Sequence, residues 1–203
     1  MIRITDRALP EDMFEECFSF LNPTGTVFDF HNMDVPWTIG RDIVTEQEIS
    51  NVLRSTYQMN HMLLWEKGKS ELKDRCFAAI KFILPDVSAS SLFRMKLNAL
   101  LNNTKVDAGT TNIPHADLME PHLSFLLYLN DSDGDTTFFR ENWDDAPGTR
   151  LTKWKKVEPK KNRVVISDGN YHASQNPINS EIRLVLNAVI KIEEKDDASD
   201  DAN

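Results

Sequence analysis

The sequence contains little cysteine and no long apolar run. Cys17 and Cys76 are the only cysteines in 203 residues. They are too few for a disulfide framework and lack the C-x-x-C spacing of a zinc or redox site, so we expect core thiols in a reducing compartment. No apolar run approaches the length that spans a bilayer, and acidic residues interrupt the N-terminal segment before a signal peptide's length. These absences favour a cytoplasmic protein with no membrane partner.

The sequence also contains fewer basic than acidic residues. The chain has 23 Lys and Arg against 32 Asp and Glu, a net charge of -9. Binding to duplex nucleic acid depends on a basic footprint, so that partner is disfavoured. Part of the acidic excess lies in residues 193–203, where six acidic residues accompany one lysine. We expect this segment to be a disordered tail that follows a single domain over 1–192.

The first part of the sequence shows helical periodicity. Three helices are predicted: Asp12–Leu21, Thr45–Gly68 and Ser70–Leu84. Thr45 and Glu48 have the spacing of a capping box, and Pro85 ends the third helix by removing a backbone donor. The sequence therefore predicts a supporting helical layer over about 1–85.

After Pro85 the period of the apolar residues changes from about 3.6 to 2, which indicates strands. Five strands are predicted: Leu92–Leu101, Leu123–Asn130, Thr136–Phe139, Arg163–Ser167 and Ile182–Ile192. The basic segment 150–163 is interpreted as a solvated strand face. A helical run followed by several strands predicts an α+β, mainly β domain, with a sandwich or barrel over about 86–192 packed against the helices.

The five histidines can be weighed one by one. His31 and His61, the latter within the second predicted helix, are expected to be structural or exposed. His115 and Asp117 are separated by one residue, so in an extended segment their side chains point to one side and can bind one metal. His172 is the leading third ligand, which would complete a 2-His-1-carboxylate set suited to Fe(II).

Arg183 opens a strand that is otherwise almost wholly apolar. A guanidinium in such a strand needs an anion, because a buried unpaired charge is costly. Its planar fork fits a carboxylate. The partner is either a carboxylate of the protein, such as Glu181, or the distal carboxylate of a dicarboxylic cosubstrate.

Taken in order, these residues resemble the 2-oxoglutarate- and Fe(II)-dependent dioxygenases, specifically the prolyl-4-hydroxylase-like branch with its small bacterial and phage versions. The resemblance covers residues 92–192. It is carried by His115-Ala-Asp117, Leu123–Asn130, Gly134–Phe139, Arg163–Asp168, His172 and Arg183. It implies a double-stranded β-helix, a cupin-like jelly-roll with supporting N-terminal helices.

The resemblance also implies a set of ligands. His115, Asp117 and His172 would hold Fe(II), and the catalytic chemistry would be centred on that iron. The other small molecules implied are 2-oxoglutarate as cosubstrate and O2, with ascorbate as an optional addition. His122 is a competing metal ligand, disfavoured because Arg183 follows His172 at the family's interval.

The resemblance places further residues around the cosubstrate. Arg183 would bind the distal carboxylate of 2-oxoglutarate, and the hydroxyl of Tyr128 would reach the same group. Asn98 and Asn187 are weaker candidates for polar contacts to the cosubstrate or the substrate.

The implied activity is hydroxylation of an unactivated C–H bond, with succinate and CO2 as co-products. The favoured substrate is a peptide or protein side chain, and a small molecule is the alternative. Asp117 stands where halogenating relatives have a small residue, and Val189 where nucleic-acid demethylases have a second arginine. Both of those activities are therefore disfavoured. The substrate would be decided by loops at the mouth, residues 24–42, 102–114 and 131–162.

Two other classes of protein remain open on the residues alone. A cupin-like or hydrolytic metalloprotein would use the same His/Asp/His site and would not need Arg183. A non-catalytic β-sandwich binding module would carry the three residues as incidental polar groups. Metal affinity separates the module from both enzymes, and a requirement for Arg183 separates the two enzymes.

Overall fold

Strands dominate the computed structural model, which describes residues 1–21, 37–40, 58–66, 68–102, 111–146 and 148–192. The elements of these residues are, in chain order, β1 (Ile2–Thr5), α1 (Glu11–Phe18), β2 (Thr38–Gly40), β3 (Gln58–Trp65), β4 (Gly68–Lys69), α2 (Lys73–Ile83), β5 (Leu92–Leu101), β6 (His122–Tyr128), β7 (Thr136–Asn142), β8 (Lys153–Val157), β9 (Arg163–Ser167), β10 (Asn170–Ser174) and β11 (Ile182–Lys191). A 3-10 turn over Ser19–Leu21 follows α1 directly.

The strands form two antiparallel sheets. The larger sheet has the order β1-β9-β6-β11-β5-β3-β2, with β4 paired to β3, and the smaller has the order β10-β7-β8. A backbone bridge between His115 and His172 adds the segment before β6 to the smaller sheet. From β6 to β11 the chain passes repeatedly between the two sheets, which is the connection pattern of a jelly-roll. The predicted double-stranded β-helix is confirmed.

Alternate residues of the larger sheet face different layers, as the two-residue period of a strand requires. In β6, Phe125 and Leu127 pack with the apolar sides of both helices. Their neighbours Leu126 and Tyr128 pack instead with Phe138 of the smaller sheet. The helices therefore cover one face of the larger sheet, and the smaller sheet covers part of the other.

Two of the three predicted helices are confirmed. The first corresponds to α1 with its 3-10 turn, and α2 lies within the third. The helix predicted over 45–68 is wrong from Gln58 onward, because the chain forms β3 there. Residues 45–57 lie outside the described residues. So do His31, most of the proposed mouth loops 24–42 and 102–114, and the tail 193–203.

The helical interpretation of β3 fails because short apolar runs fit both periods. Met59, Met62 and Leu63 have helical spacing, but a strand that is covered on both faces also accepts apolar residues at every position. In the structure Met59, His61 and Leu63 are buried, and β3 pairs with β2 and β5. The predicted helical layer over 1–85 therefore also contains β1 to β4 of the larger sheet.

All five predicted strands are present, as β5, β6, β7, β9 and β11. The basic segment 150–163 contains β8, in which every residue before Val157 is exposed, as a solvated strand requires. The short strand β10 is not predicted, because its residues are mostly polar and follow a glycine turn.

Two further features of the sequence can be located in the described residues. Cys17 and Cys76 are both free and buried. The two helices are too short and too polar to pass through a bilayer, and no other helix in the described ranges would do so.

Asn162 joins the N-terminal segment to the strands. It has a φ of 63°, its Oδ1 accepts from the Leu9 amide at 3.0 Å, and its Nδ2 donates to the Leu9 carbonyl at 2.8 Å. We expect Asn162→Ala to lower the free energy of unfolding by about 2–4 kcal/mol, because alanine tolerates a left-handed backbone poorly and leaves two buried backbone groups unpaired. Urea unfolding with an unchanged m-value measures the loss. A change below about 0.5 kcal/mol would show that these contacts do not hold the segment.

Candidate metal centre

Three side chains that the sequence singles out converge between the sheets. The ligand atoms of His115, Asp117 and His172 all lie within 4.8 Å of one another. His115 Nε2 is 3.9 Å from Asp117 Oδ1, and His172 Nε2 is 3.7 Å from Asp117 Oδ2. The two histidines are held side by side by reciprocal backbone hydrogen bonds of 3.0 and 2.9 Å. The cluster is therefore fixed by strand pairing.

Both histidines present the same nitrogen to the centre. His115 Nδ1 lies 3.2 Å from the carbonyl oxygen of Ile113, and His172 Nδ1 lies 3.2 Å from that of Asn170. A carbonyl can only accept, so each Nδ1 carries a proton, and Nε2 is the nitrogen of each ring that can bind a metal. Burial, with the nearby His172, lowers the pKa of His115 to about 3, so its imidazole is neutral near pH 7. Neutral imidazoles are the form that binds metals.

Asp117 is held by three donors. Arg94 Nη2 donates to Oδ1 at 2.6 Å, while Ser124 Oγ and Asn187 Nδ2 donate to Oδ2 at 3.0 and 3.3 Å. Burial alone would raise the pKa of Asp117, but His172, Arg94 and other nearby basic groups hold it well below the usual range. The residue is therefore a carboxylate in a fixed orientation.

This donor set fits a divalent transition metal. Two imidazole nitrogens and one carboxylate oxygen form the 2-His-1-carboxylate face that suits Fe(II) and leaves other coordination positions open. The Asp117 side chain is only 2% exposed, and its carboxylate oxygens lie within 4 Å of both Nε2 atoms, so the three donors face one point. The described residues therefore fit the group that the sequence resemblance implies.

One cavity contains the cluster and several further polar side chains. It is lined by Gln58, Lys96, Asn98, His115, Asp117, Leu126, Thr136, His172, Ser174, Arg183, Val185 and Asn187. Buried oxygen atoms of Asn98 and Asn187 have no hydrogen-bond partner. Unsatisfied buried polar atoms are rare in folded proteins, so their concentration here indicates a ligand site.

Arg183 lies on the wall of this cavity without an acidic partner. Its Nη2 donates to Thr136 Oγ1 at 2.7 Å, and its Nε is buried with no hydrogen bond. No ion pair joins Arg183 to a carboxylate in the described part of the chain, so the alternative pairing with Glu181 is not observed. Burial lowers the pKa of Arg183, although an arginine remains charged. The guanidinium therefore presents an unsatisfied charge.

Tyr128 contacts Arg183 through its ring and shares Thr136 with it as a hydrogen-bond partner. Its hydroxyl donates to Thr136 Oγ1 at 2.7 Å, and the Arg183 Cζ lies 5.5 Å from the centroid of its ring. The direct contact to a cosubstrate that the resemblance implies stays a prediction. Gly134 keeps space beside the guanidinium stem, because a Cβ there would come within 3.0 Å of Arg183 Cδ and 2.6 Å of the Gln175 carbonyl oxygen.

The sequence misses two cations of the site, Arg94 and Lys96. Both lie on β5 and alternate with core residues, so they face the cavity side of the strand. Burial, followed by repulsion from Arg94, lowers the pKa of Lys96 to about 8. The alternation of basic and apolar residues in a predicted strand is the signal that would have found them.

The other two histidines in the described ranges, His61 and His122, are outside the cluster. His122 is buried with Nδ1 2.7 Å from the Glu120 carbonyl oxygen, and it is not among the clustered ligands. His61 is on β3, with Nε2 2.8 Å from Ser70 Oγ, which agrees with a structural role. The structure therefore places His172, rather than His122, beside His115 and Asp117.

No protein-family model and no curated protein sequence matches the chain. Several solved structures do match. A prolyl hydroxylase from Trichoplax adhaerens, in complex with a hypoxia inducible factor peptide fragment, aligns over 94% of this chain and 83% of its own, with a TM-score of 0.57 and 11% identity. A prolyl-4-hydroxylase from Pseudomonas putida aligns over 95% and 93%, with a TM-score of 0.53 and 14% identity.

A third match has a different reaction. The non-heme alpha ketoglutarate dependent epimerase SnoN from nogalamycin biosynthesis aligns over 94% of this chain and 78% of its own, with a TM-score of 0.57 and 15% identity. At these identities the likeness establishes the fold. The chain has the fold of the 2-oxoglutarate- and Fe(II)-dependent oxygenases, as the sequence resemblance predicts.

Proposed function

We propose that this chain is an Fe(II)- and 2-oxoglutarate-dependent dioxygenase that hydroxylates an unactivated C–H bond of a peptide or protein side chain. One observation carries the proposal: the cavity that contains the His115, Asp117 and His172 cluster also contains Arg183, whose charge has no partner in the described residues. A metal site alone suits several chemistries. A metal site combined with an anion site suits a dicarboxylate that chelates the metal, and a hydrolytic metalloprotein has no need of the second site.

The chain's own residues bind and orient the reactants. His115, Asp117 and His172 hold Fe(II), and Arg183 binds the distal carboxylate of 2-oxoglutarate while Thr136 fixes the guanidinium. The bound iron centre supplies the oxidation, in which O2 converts 2-oxoglutarate to succinate and CO2 and adds its second oxygen atom to the substrate C–H bond. No acid, base or nucleophile of the protein is required, so the fold contributes position and exclusion of water.

Two observations support the proposed substrate class and reaction. The fold neighbours include two prolyl hydroxylases, one of them bound to a peptide. Asp117 occupies the carboxylate position of the triad, which favours hydroxylation over halogenation. Because SnoN is an epimerase with the same fold, the product has to be identified directly, as a mass gain of one oxygen atom.

The two buried thiols favour the reducing cytoplasm as the compartment.

Anaerobic loading tests the cofactor assignment. We expect Fe(II) followed by 2-oxoglutarate to produce a weak visible charge-transfer band, because that band requires the keto acid to chelate the iron. His172→Ala should lose the band, since it removes one of three protein ligands. His122→Ala is the matched control and should keep it, since His122 lies outside the cluster. Absorption spectra recorded in an anaerobic cuvette measure both.

The other outcomes separate the rival classes. Stoichiometric Zn(II) binding without any band would favour a cupin-like or hydrolytic protein. Absence of metal binding would leave a binding module. A band that survives in His172→Ala but not in His122→Ala would show that the third ligand is wrongly assigned.

A further inference from the structure

Lys96 is a cation in the cavity that the proposed reaction does not use. Its neighbours along the same face of β5 are Arg94 and Asn98, while Met95 and Leu97 face the core. Arg94 is paired with the carboxylate of the metal cluster. The Lys96 amine, in contrast, forms no hydrogen bond or ion pair with the described residues, although the side chain lines the cavity.

Strand register places Lys96 away from the anion site at Arg183. On the paired strands β5 and β11, Arg183 lies opposite Leu100, and Asn187 lies opposite Lys96. Asn187 and Arg183 are four residues apart, about 13 Å along the strand. Asn187 donates to Asp117, so Lys96 stands at the metal end of the cavity. One dicarboxylate that reaches from Arg183 to the metal leaves Lys96 unpaired.

The charges of the loaded site also leave Lys96 unpaired. Asp117 is the one acidic side chain among the described residues that line the cavity. In the loaded site a divalent metal, Arg94, Arg183 and Lys96 carry five positive charges, and Asp117 and 2-oxoglutarate carry three negative ones. Two positive charges therefore remain in excess in a partly desolvated space, and Lys96 is the cation without an assigned anion. Such a site favours a third anionic group, because buried charges are stable only when paired.

We propose that Lys96 binds an anionic group of the substrate, a carboxylate or a phosphate, close to the C–H bond that is oxidised. The inference rests on the proposed function and names its substrate class: an acidic residue, a phosphorylated residue or an acidic small molecule. Gln58 lines the same cavity from β3 but lies toward the Arg183 end, because β3 pairs Met62 rather than Gln58 with Lys96. Lys96 is thus a specificity-determining residue.

The experiment uses two small anions as probes. The full chain is first loaded with Mn(II) and saturating 2-oxoglutarate, and each loading step is followed by calorimetry. Inorganic phosphate and acetate are then titrated separately, and paramagnetic relaxation of the phosphate 31P nucleus and of the acetate carboxyl 13C nucleus is recorded. We expect saturable relaxation by at least one probe, and the tighter probe identifies the group. Lys96→Met should weaken that binding about tenfold or more, since it removes a charge-assisted contact.

The control variant is Lys69→Met, which removes an exposed lysine on β4 and should bind the probe like the unaltered chain. The affinity of Lys96→Met for 2-oxoglutarate should stay within about twofold. An equal loss of 2-oxoglutarate and anion affinity would assign Lys96 to the cosubstrate and overturn the inference. Two other results would also overturn the inference. The unaltered protein could load normally but show no saturable relaxation of either probe, or Lys96→Met could bind the probe as tightly as the unaltered protein. Failure of Mn(II) or 2-oxoglutarate to bind at all would instead refute the proposed function, and it appears before any probe is added.

Discussion

Asp117→Ala is expected to abolish stoichiometric metal binding and all turnover of 2-oxoglutarate. The substitution removes the single anionic ligand from a set of three and leaves only the two imidazoles. It also leaves Arg94 without its acidic partner, because Arg94 Nη2 lies 2.6 Å from Asp117 Oδ1 in the unaltered chain. The unpaired guanidinium would then face the position of the cation. Loss of an outer partner of a metal ligand costs about 10- to 100-fold in affinity, so loss of the charged ligand itself should cost more than about a hundredfold. Calorimetry with Mn(II) measures the change.

The matched control is Glu120→Ala. Glu120 is an exposed acid three positions away that pairs with Lys191 on the surface, and its removal should leave metal affinity unchanged. Both variants should retain a cooperative thermal transition without metal, because Asp117 contacts polar groups and is not part of the apolar core. Metal affinity within about threefold of the unaltered chain in Asp117→Ala would show that the triad is wrongly assigned.

The sequence predicts the strands correctly where the spacing of apolar residues matches the burial seen in the structure. In β5 apolar and polar residues alternate, and β11 is apolar and buried at almost every position. β3 also has buried residues on both faces, but Met59, Met62 and Leu63 fit a helix equally well. Its strand conformation depends on pairing with β5, a contact between distant parts of the chain that local periodicity does not contain.

The metal cluster is only partly a local feature. The spacing of His115 and Asp117 predicts that they act together, and the structure places them together. His172 is distant in sequence and reaches the cluster through its backbone bridge to His115. Local reasoning cannot supply that bridge, and the resemblance to a family supplied it instead.

The two cations of β5 show what a search for apolar runs overlooks. Arg94 and Lys96 alternate with Met95 and Leu97, which form part of the main core. The apolar residues of this segment predict a strand. The polar residues between them lie on the opposite face of the strand. Because this strand is central to the sheet, they predict that this face borders a polar cavity. The pattern of both sets together predicts the site better than either set alone.

Arg183→Met is expected to raise the dissociation constant of 2-oxoglutarate about a hundredfold or more while leaving metal affinity unchanged. Charge-assisted hydrogen bonds contribute about 1.5–3 kcal/mol each, and methionine keeps an unbranched apolar stem but lacks the charged fork that makes them. Arg183 contacts Thr136 and Tyr128 but none of the three clustered ligands. Calorimetric titrations of Mn(II), and then of 2-oxoglutarate into the Mn(II)-loaded protein, measure the two affinities separately.

The stability of the same variant decides between the two partners that the sequence leaves open for Arg183. A guanidinium that is buried to receive a ligand has no internal carboxylate to lose, so Arg183→Met should leave the free energy of unfolding unchanged or raise it. Arg163→Met is the comparison, because Arg163 pairs with Asp6 on a partly exposed surface. This variant should lose at most about 1 kcal/mol of unfolding free energy and keep its affinity for 2-oxoglutarate. If Arg183→Met instead lost more than about 3 kcal/mol and bound 2-oxoglutarate normally, the anion would be internal. The cavity would then have a metal site without a cosubstrate site, as the hydrolytic alternative requires.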